Sequence, residues 1–279
     1  MQTILVPTQN IAGMTSALET ALLLAQRMGA YIEGFALRFG IPQFVVAELS
    51  SGIPMESYQA HRDEEIAEAR RIFETFMQEH DIPSSRGAAD RPSFGWLEDA
   101  PEGETFVGSH GRTFDVTVMS RPDADTLSLH SRAIESGLFE SGRPVLLSPP
   151  VAPKQIATSV MIHWNGSTEQ ARTNAFAMPI LRKAERVMLL TVVGGQEVPG
   201  PSVNQVLRQL QYNGIPAKTM RVEVDGRSTG EAVLAAAKAE GCDLLVKGAF
   251  TRHRLRQMIF GGATSHIMEH AELPVLMAH

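Results

Sequence analysis

The chain has little cysteine, little aromatic content and no long apolar run. Cys242 is the single cysteine, so no internal disulfide can form, and a lone thiol fits a reducing compartment. It stands just before the apolar run Leu244-Leu245-Val246 with no activating neighbour in sequence, and reads as a small packed residue. No stretch approaches the ~20 apolar residues of a membrane helix. Met1-Gln2 leads straight into an apolar strand without a basic leader region. The expectation is a soluble, cytoplasmic protein. An excess of basic charge is also missing. The net charge of -6 disfavours broad binding to nucleic acid or to an anionic membrane, while leaving room for one small anion in a local basic loop. No P-loop of the form Gly-x-x-x-x-Gly-Lys-Ser/Thr occurs, so no strong ATPase activity is expected, at most slow hydrolysis of a bound nucleotide. A phosphoacceptor receiver domain needs paired acidic residues after its first strand. Thr8-Gln9-Asn10 and Trp164-Asn165-Gly166 supply none, and that reading fails.

What is present suffices for two globular cores: 279 residues, 43% hydrophobic and 20% charged. Ile4 to Pro7 reads as a short buried strand, and Ser16-Ala17-Leu18-Glu19 as a capping box for a helix that Gly29 ends. Tyr31 to Leu37 follows as a second strand, so β-α-β with parallel strands is expected. A charged helix spans Asp63 to Glu79, with Ile66, Ala69, Phe73, Phe76 and Met77 as its inner stripe. The stretch from Ser84 to Arg112 is poor in pattern, because Gly103, Gly108 and Gly111 weaken any helix there. Asp115 to Met119 and Arg143 to Leu147 are strands, and the proline-rich segment Ser148 to Pro153 is the natural linker.

After the linker the pattern starts over. Ser159 to Ile162 is a strand, Ser167 and Gln170 are spaced as a capping box, and Val187 to Val193 is a strand. A striped helix (Val203, Val206, Leu207, Leu210) and an alternating strand (Met220, Val222, Val224) follow. Ser228-Thr229-Gly230-Glu231 caps an alanine-rich helix ending at Gly241. Three landmarks align the halves. Ile82-Pro83 matches Ile215-Pro216, Asp115-Val-Thr-Val matches Asp243-Leu-Leu-Val, and Arg143-Pro-Val-Leu matches Leu273-Pro-Val-Leu. Each half reads as five strands alternating with about four helices, a doubly wound α/β parallel sheet. The expected domains are 1–150 and 156–279, with ligands at the strand C-termini where the strand order reverses.

One stretch of the second half carries chemistry. Leu244-Leu245-Val246 stops at Gly248, a loop with Arg252, Arg254 and Arg256 follows, and Gly261-Gly262 precedes Ala263-Thr264 and a helical segment. Small residues let the chain come close to a ligand, and free N–H groups at a helix start favour an anion. This resembles the universal stress protein family, whose signature is G-x-x-G, nine residues, then G-(S/T) after the fourth strand. Here it falls on Gly248-Ala-Phe-Thr251, nine residues from Arg252 to Phe260, then Gly261-Gly262-Ala263-Thr264. The closing HAELPVLM and the turn IHWNGS are similar to the family as well.

The resemblance implies strand order 3-2-1-4-5 and, in the family's nucleotide-binding branch, ATP or AMP held between strands 1 and 4, with or without Mg. It would place Asn165 by the ribose and Val192 beside adenine. Gly248 and Thr251 would admit the phosphates, and Gly261, Gly262, Ala263 and Thr264 would donate to them. It also implies that the fifth strands, Val145 to Leu147 and Val275 to Met277, pair within the chain as an internal pseudo-dimer, with further homodimerisation open. Three positions depart from the family pattern: Thr251 for its second glycine, Gly262 for Ser/Thr, and Asn165 for Asp. In the first half Ser120 replaces Gly248, Gln9 takes the acidic position, and no Gly pair follows Arg121-Pro122-Asp123. No nucleotide is expected there.

Two other functions compete. His266 and His270 are four apart around Glu269, but the inward stripe Thr264, Ile267, Met268 and Ala271 leaves both on the outer face, and no third metal ligand is patterned. His163 sits at a strand end without a nucleophile spaced to it, so no catalytic residue is assigned. The alternative is a protein-interaction or small-ligand module whose nucleotide cleft has degenerated. An unidentified protein partner, and a role for the loop Phe39 to Met55, belong to that reading.

Overall fold

The computed structural model describes residues 1–9, 11–39, 55–84, 91–122, 127–195, 198–250 and 262–279. The first half runs β1 (Thr3–Thr8), α1 (Met14–Met28), β2 (Tyr31–Ala36), α2 (Met55–Glu79), β3 (Ser93–Leu97), α3 (Thr105–Gly111), β4 (Val116–Ser120), α4 (Leu127–Glu140) and β5 (Val145–Ser148). The second runs β6 (Ser159–His163), α5 (Thr168–Leu181), β7 (Arg186–Val193), α6 (Val203–Tyr212), β8 (Ala217–Glu223), α7 (Thr229–Ala239), β9 (Leu244–Gly248), α8 (Ala263–His270) and β10 (Val275–Ala278). All ten strands join one sheet in the order β3-β2-β1-β4-β5-β10-β9-β6-β7-β8. Each half is parallel in the order 3-2-1-4-5, as the family resemblance implied. The halves meet antiparallel, Val275 opposite Leu147 and Met277 opposite Val145, so Leu276 faces its own counterpart Leu146 on a pseudo-two-fold axis.

Strand alternation sends side chains to two cores, each running through both halves. Ile4, Val6, Val160, Ile162 and Val246 pack under α1, α2, α5 and α6, whereas Leu5, Met161, Leu245 and Met277 pack under α3, α4, α7 and α8. The duplication extends to single hydrogen bonds. Asp115 accepts from the N–H groups of Gln2 and Thr3 at the head of β1, and Asp243 accepts from Thr158 and Ser159 at the head of β6. Ile82 N–H donates to the Met77 carbonyl and Ile215 N–H to the Leu210 carbonyl, closing α2 and α6 alike. Across the axis, the Arg27 guanidinium donates to the Lys183 carbonyl and the Lys183 ammonium to the Arg27 carbonyl.

Two local expectations need correction. Ser16 does not cap α1, which starts at Met14 after Gly13; the Ser16 hydroxyl instead donates to the Pro149 carbonyl at 2.6 Å, tying the helix to the linker. The weakly patterned stretch before Arg112 holds both β3 and α3. Its glycines serve contacts rather than loops. A Cβ on Gly108 would come within 2.6 Å of the Ser136 carbonyl of α4, so the glycine lets α3 and α4 touch.

Candidate functional site

The second half's strand ends form the crevice where ligands of such sheets sit, between β6 and β9. A cleft of about 490 Å³ lies beside it, between the starts of two helices. Gly194 beyond β7, Ser228 and Thr229 opening α7, and Gly262, Ala263 and Ser265 opening α8 line it, together with Arg227, His266 and Glu269. Gly262 holds φ 110° as the N-cap residue of α8, a conformation that an L side chain resists, so the glycine is required by the backbone alone. The α8 N-cap makes no side-chain hydrogen bond. The Ser265 hydroxyl in its first turn is buried without a partner among the described residues, although the residue borders the cleft. The α7 start is already satisfied: Ser228 and Glu231 form a reciprocal capping box, with 3.2 Å from Glu231 N–H to the Ser228 hydroxyl.

Of the eight residues expected at a nucleotide site, Gly262 and Ala263 lie together in this cleft. Thr264 turns inward from the same turn, where its hydroxyl accepts from the Lys247 ammonium at 2.9 Å. Thr251 and Gly261 lie outside the described residues. Asn165 organises the turn after β6, its side-chain oxygen accepting from Ser167 N–H at 3.2 Å. The stretch 198–201 lies directly on that turn. Val198 N–H donates to the Asn165 carbonyl at 2.9 Å and the Trp164 indole to the Pro201 carbonyl at 2.9 Å, while a Cβ on Gly166 would run into the Val198 carbonyl and one on Gly200 into the Gly166 carbonyl. Val192 is buried in the core beneath α7.

Gly248 has a packing reason of its own. A Cβ there would stand 2.5 Å from the Gln170 amide nitrogen, and Gly248 N–H donates to the Gln170 side-chain oxygen at 2.6 Å. The Ser167–Gln170 capping box is therefore half made. Ser167 accepts from Gln170 N–H at 3.1 Å, but the Gln170 side chain bridges to β9 instead of returning to the cap. In the first half the same contact is reversed, with Gly13 on the helix and Ser120 on the strand. A Cβ on Gly13 would stand 2.7 Å from the Ser120 Cβ. One glycine per contact suffices, and each half places it on the opposite partner.

The first crevice also ends differently. α4 has 14 residues against the 8 of α8, and its N-terminal turns carry the buried His130. The His130 Nε2 lies 3.0 Å from the Ser120 hydroxyl and 2.9 Å from its carbonyl, filling the strand end that Gly248 occupies in the other half.

Two titratable groups at the strand ends of the second half are buried. His163 ends β6 and Lys247 precedes Gly248 on β9, and both side chains are buried on the α7–α8 face. Burial, with a smaller contribution from Lys247, pushes His163 down to about 3, so its ring stays neutral. Burial alone pushes Lys247 down to about 8. The available signal was a lysine in an otherwise apolar strand. His270 is exposed as expected, but His266 is not on the outer face: it is partly buried, borders the cleft and packs against Gly230 of α7, its ring stacked on His270 at 4.2 Å. No cluster of three metal-ligating side chains occurs among the described residues. Burial raises the pKa of the half-buried Cys242, and its sulfur accepts from the Ser159 hydroxyl at 3.6 Å. No described helix is long and apolar enough to cross a membrane.

Two repeated doubly wound parallel sheets define the class of the chain as α/β. Residues 166–279 match the model of the universal stress protein family. The second half therefore belongs to that family, and the first has its fold, a tandem arrangement. The crystal structure of a universal stress protein from Archaeoglobus fulgidus DSM 4304 is 15% identical, covers 99% of this chain and 97% of its own, and superposes with a TM-score of 0.72. A putative universal stress protein from Pseudomonas aeruginosa UCBPP-PA14 is 13% identical over 100% of this chain and 93% of its own, with a TM-score of 0.54. A universal stress protein solved in complex with cAMP is 14% identical over 44% of this chain and 97% of its own, with a TM-score of 0.34. No curated protein matches the sequence.

Proposed function

We propose that the second half binds an adenine nucleotide, ATP or AMP, as a regulatory ligand, and that the first half is its structural partner without a nucleotide. The observation that carries this reading is the start of α8. Gly262 and Ala263 open the helix into a cleft beside a Ser265 hydroxyl that has no partner among the described residues, whereas the first half fills the equivalent strand end with His130. Unsatisfied N–H groups and the helix dipole favour an anion there by roughly 0.3–1 kcal/mol, rising to ~2 when partly buried. The family resemblance would place the ribose by Asn165 and adenine beside Val192, which is buried beneath α7. No catalytic residue is assigned, and the cytoplasm is the proposed location.

A second reading, a small-ligand or protein-interaction module without adenosine, is favoured by one feature. The stretch 198–201 packs directly on the Asn165 turn where a nucleoside is expected. Heating the protein with and without ATP·Mg separates the two readings. A ligand at 100 times its dissociation constant stabilises by ~2.7 kcal/mol, a shift of several degrees. Gly262→Val should abolish that shift and Ser120→Val should leave it intact. No shift at millimolar ATP or AMP overturns the nucleotide reading, and equal loss in both variants overturns the choice of half.

A further inference from the structure

Lys247 is only 3% exposed, and its ammonium donates to two neutral acceptors, the Gly248 carbonyl at 2.8 Å and the Thr264 hydroxyl at 2.9 Å. No carboxylate pairs with it among the described residues. The strands and helix around it bring His163 from β6, Met277 from β10 and Thr264 from α8, and His163 is the titratable group among these. On α8 itself His266 and Glu269 face the cleft on the other side.

The charge is therefore placed against physical expectation. A buried cation needs a counter-charge. This one instead sits one hydrogen bond from the first turn of a helix, whose N-terminal end is itself positive. Two further polar atoms at this place are buried without partners among the described residues, Nδ1 of His163 and the hydroxyl of Ser265. In the first half the corresponding strand positions are Pro7 and Met119, both uncharged.

We infer that Lys247 is the charge-complementing group of an anion site, so that a ligand carrying phosphate or an equivalent oxyanion completes an electrostatic arrangement the empty protein leaves open. This rests on the reading that the second crevice holds a ligand, and it specifies that ligand as anionic at the α8 end. The anion offsets the desolvated ammonium and the helix end together, so binding holds the proton on Lys247 more firmly. Two consequences follow for the wild-type protein. Binding takes up a fraction of a proton near pH 8, and affinity falls as pH rises above about 8, where the free lysine loses its charge. His163, pushed down to about 3, stays neutral throughout that range and does not contribute.

The test is calorimetric titration with three probes, ATP, AMP and inorganic pyrophosphate, at pH 7 and pH 9.5 and in buffers of different ionisation enthalpy. Lys247→Met, which installs the first half's residue, is titrated beside the wild type. The expected result is at least tenfold weaker binding at pH 9.5 than at pH 7, with proton uptake near pH 8. In Lys247→Met the affinity falls at least tenfold, the uptake vanishes, and the melting temperature equals or exceeds that of the wild type. Equal affinity in the variant, or pH-independent binding without proton uptake, overturns the role of Lys247 while leaving the nucleotide reading standing. Binding of pyrophosphate but of neither nucleotide, lost in the variant, supports the anion site and overturns the nucleotide reading. No binding of any probe overturns both. The pH dependence and proton uptake of the wild type decide the matter if the variant does not fold.

Discussion

The two halves share strand order, caps and pairing, yet finish their crevices in opposite ways. In the first, α4 reaches back over the strand end and His130 closes on Ser120. In the second, α8 begins at Gly262, and beneath it lie two polar side chains, His163 and Lys247, where the first half has Pro7 and Met119. Sheet architecture does not require a ligand. The two halves therefore differ in what fills the strand end, a histidine on a serine in the first and a buried lysine beside a glycine in the second.

The largest expected effect is an acid-stability difference between the crevices. His163 is pushed down to about 3 in the folded chain against about 6.5 unfolded, so its contribution is fully present above pH 6.5 and is lost as pH falls toward 3. The loss reaches about 1.4 kcal/mol per pH unit within that window. Denaturant unfolding at stepped pH should show this slope, and His163→Leu should flatten it. An unchanged slope would mean that carboxylates elsewhere set acid stability.

The next effect concerns the reversed glycine contact. Gly248→Ala and Gly13→Ala should each destabilise by about 1–3 kcal/mol through overpacking. Adding Ser120→Gly to Gly13→Ala should recover much of the loss, because it recreates the second half's arrangement. Additive losses in the double variant would break the equivalence of the two contacts. The smallest effect sharpens the pseudo-symmetry itself. Arg27→Ala and Lys183→Ala remove reciprocal, solvent-exposed contacts across the axis, and each should cost no more than about 1 kcal/mol, by similar amounts, in thermal unfolding.

Much of the architecture was legible in the sequence because periodicity and punctuation agreed. The repeated Ile-Pro and Asp-led strands located the duplication, and those residues make equivalent hydrogen bonds in both halves. β3 and α3 were not legible. Their glycines look like breakers in one dimension and prove to be contact points only once α4 is in place. Ser16 misled for a related reason, since its hydroxyl serves the distant Pro149 instead of its own helix. At the site, Gly262 was read correctly as a helix opening. Gly248 answers to Gln170, a partner far away in sequence. Lys247 was visible as a misplaced charge, but whether it was paired depended on which residues the fold brings beside it.

The antiparallel seam between β5 and β10 has one more consequence. Because the halves run in opposite directions, their crevices open at opposite ends of the sheet, and each is flanked by its neighbour. Phe139 of α4 packs against Phe250 at a tilt and edge-on against His279 beside the second crevice, and Arg121 past β4 donates to the Ala271 carbonyl at the end of α8. In a dimer of identical chains, a substitution at one crevice is necessarily made at both. Joining the halves in one polypeptide lifts that constraint. Methionine at one strand end and lysine at the other can coexist, and the half that closes its own crevice still serves as a wall of its neighbour's.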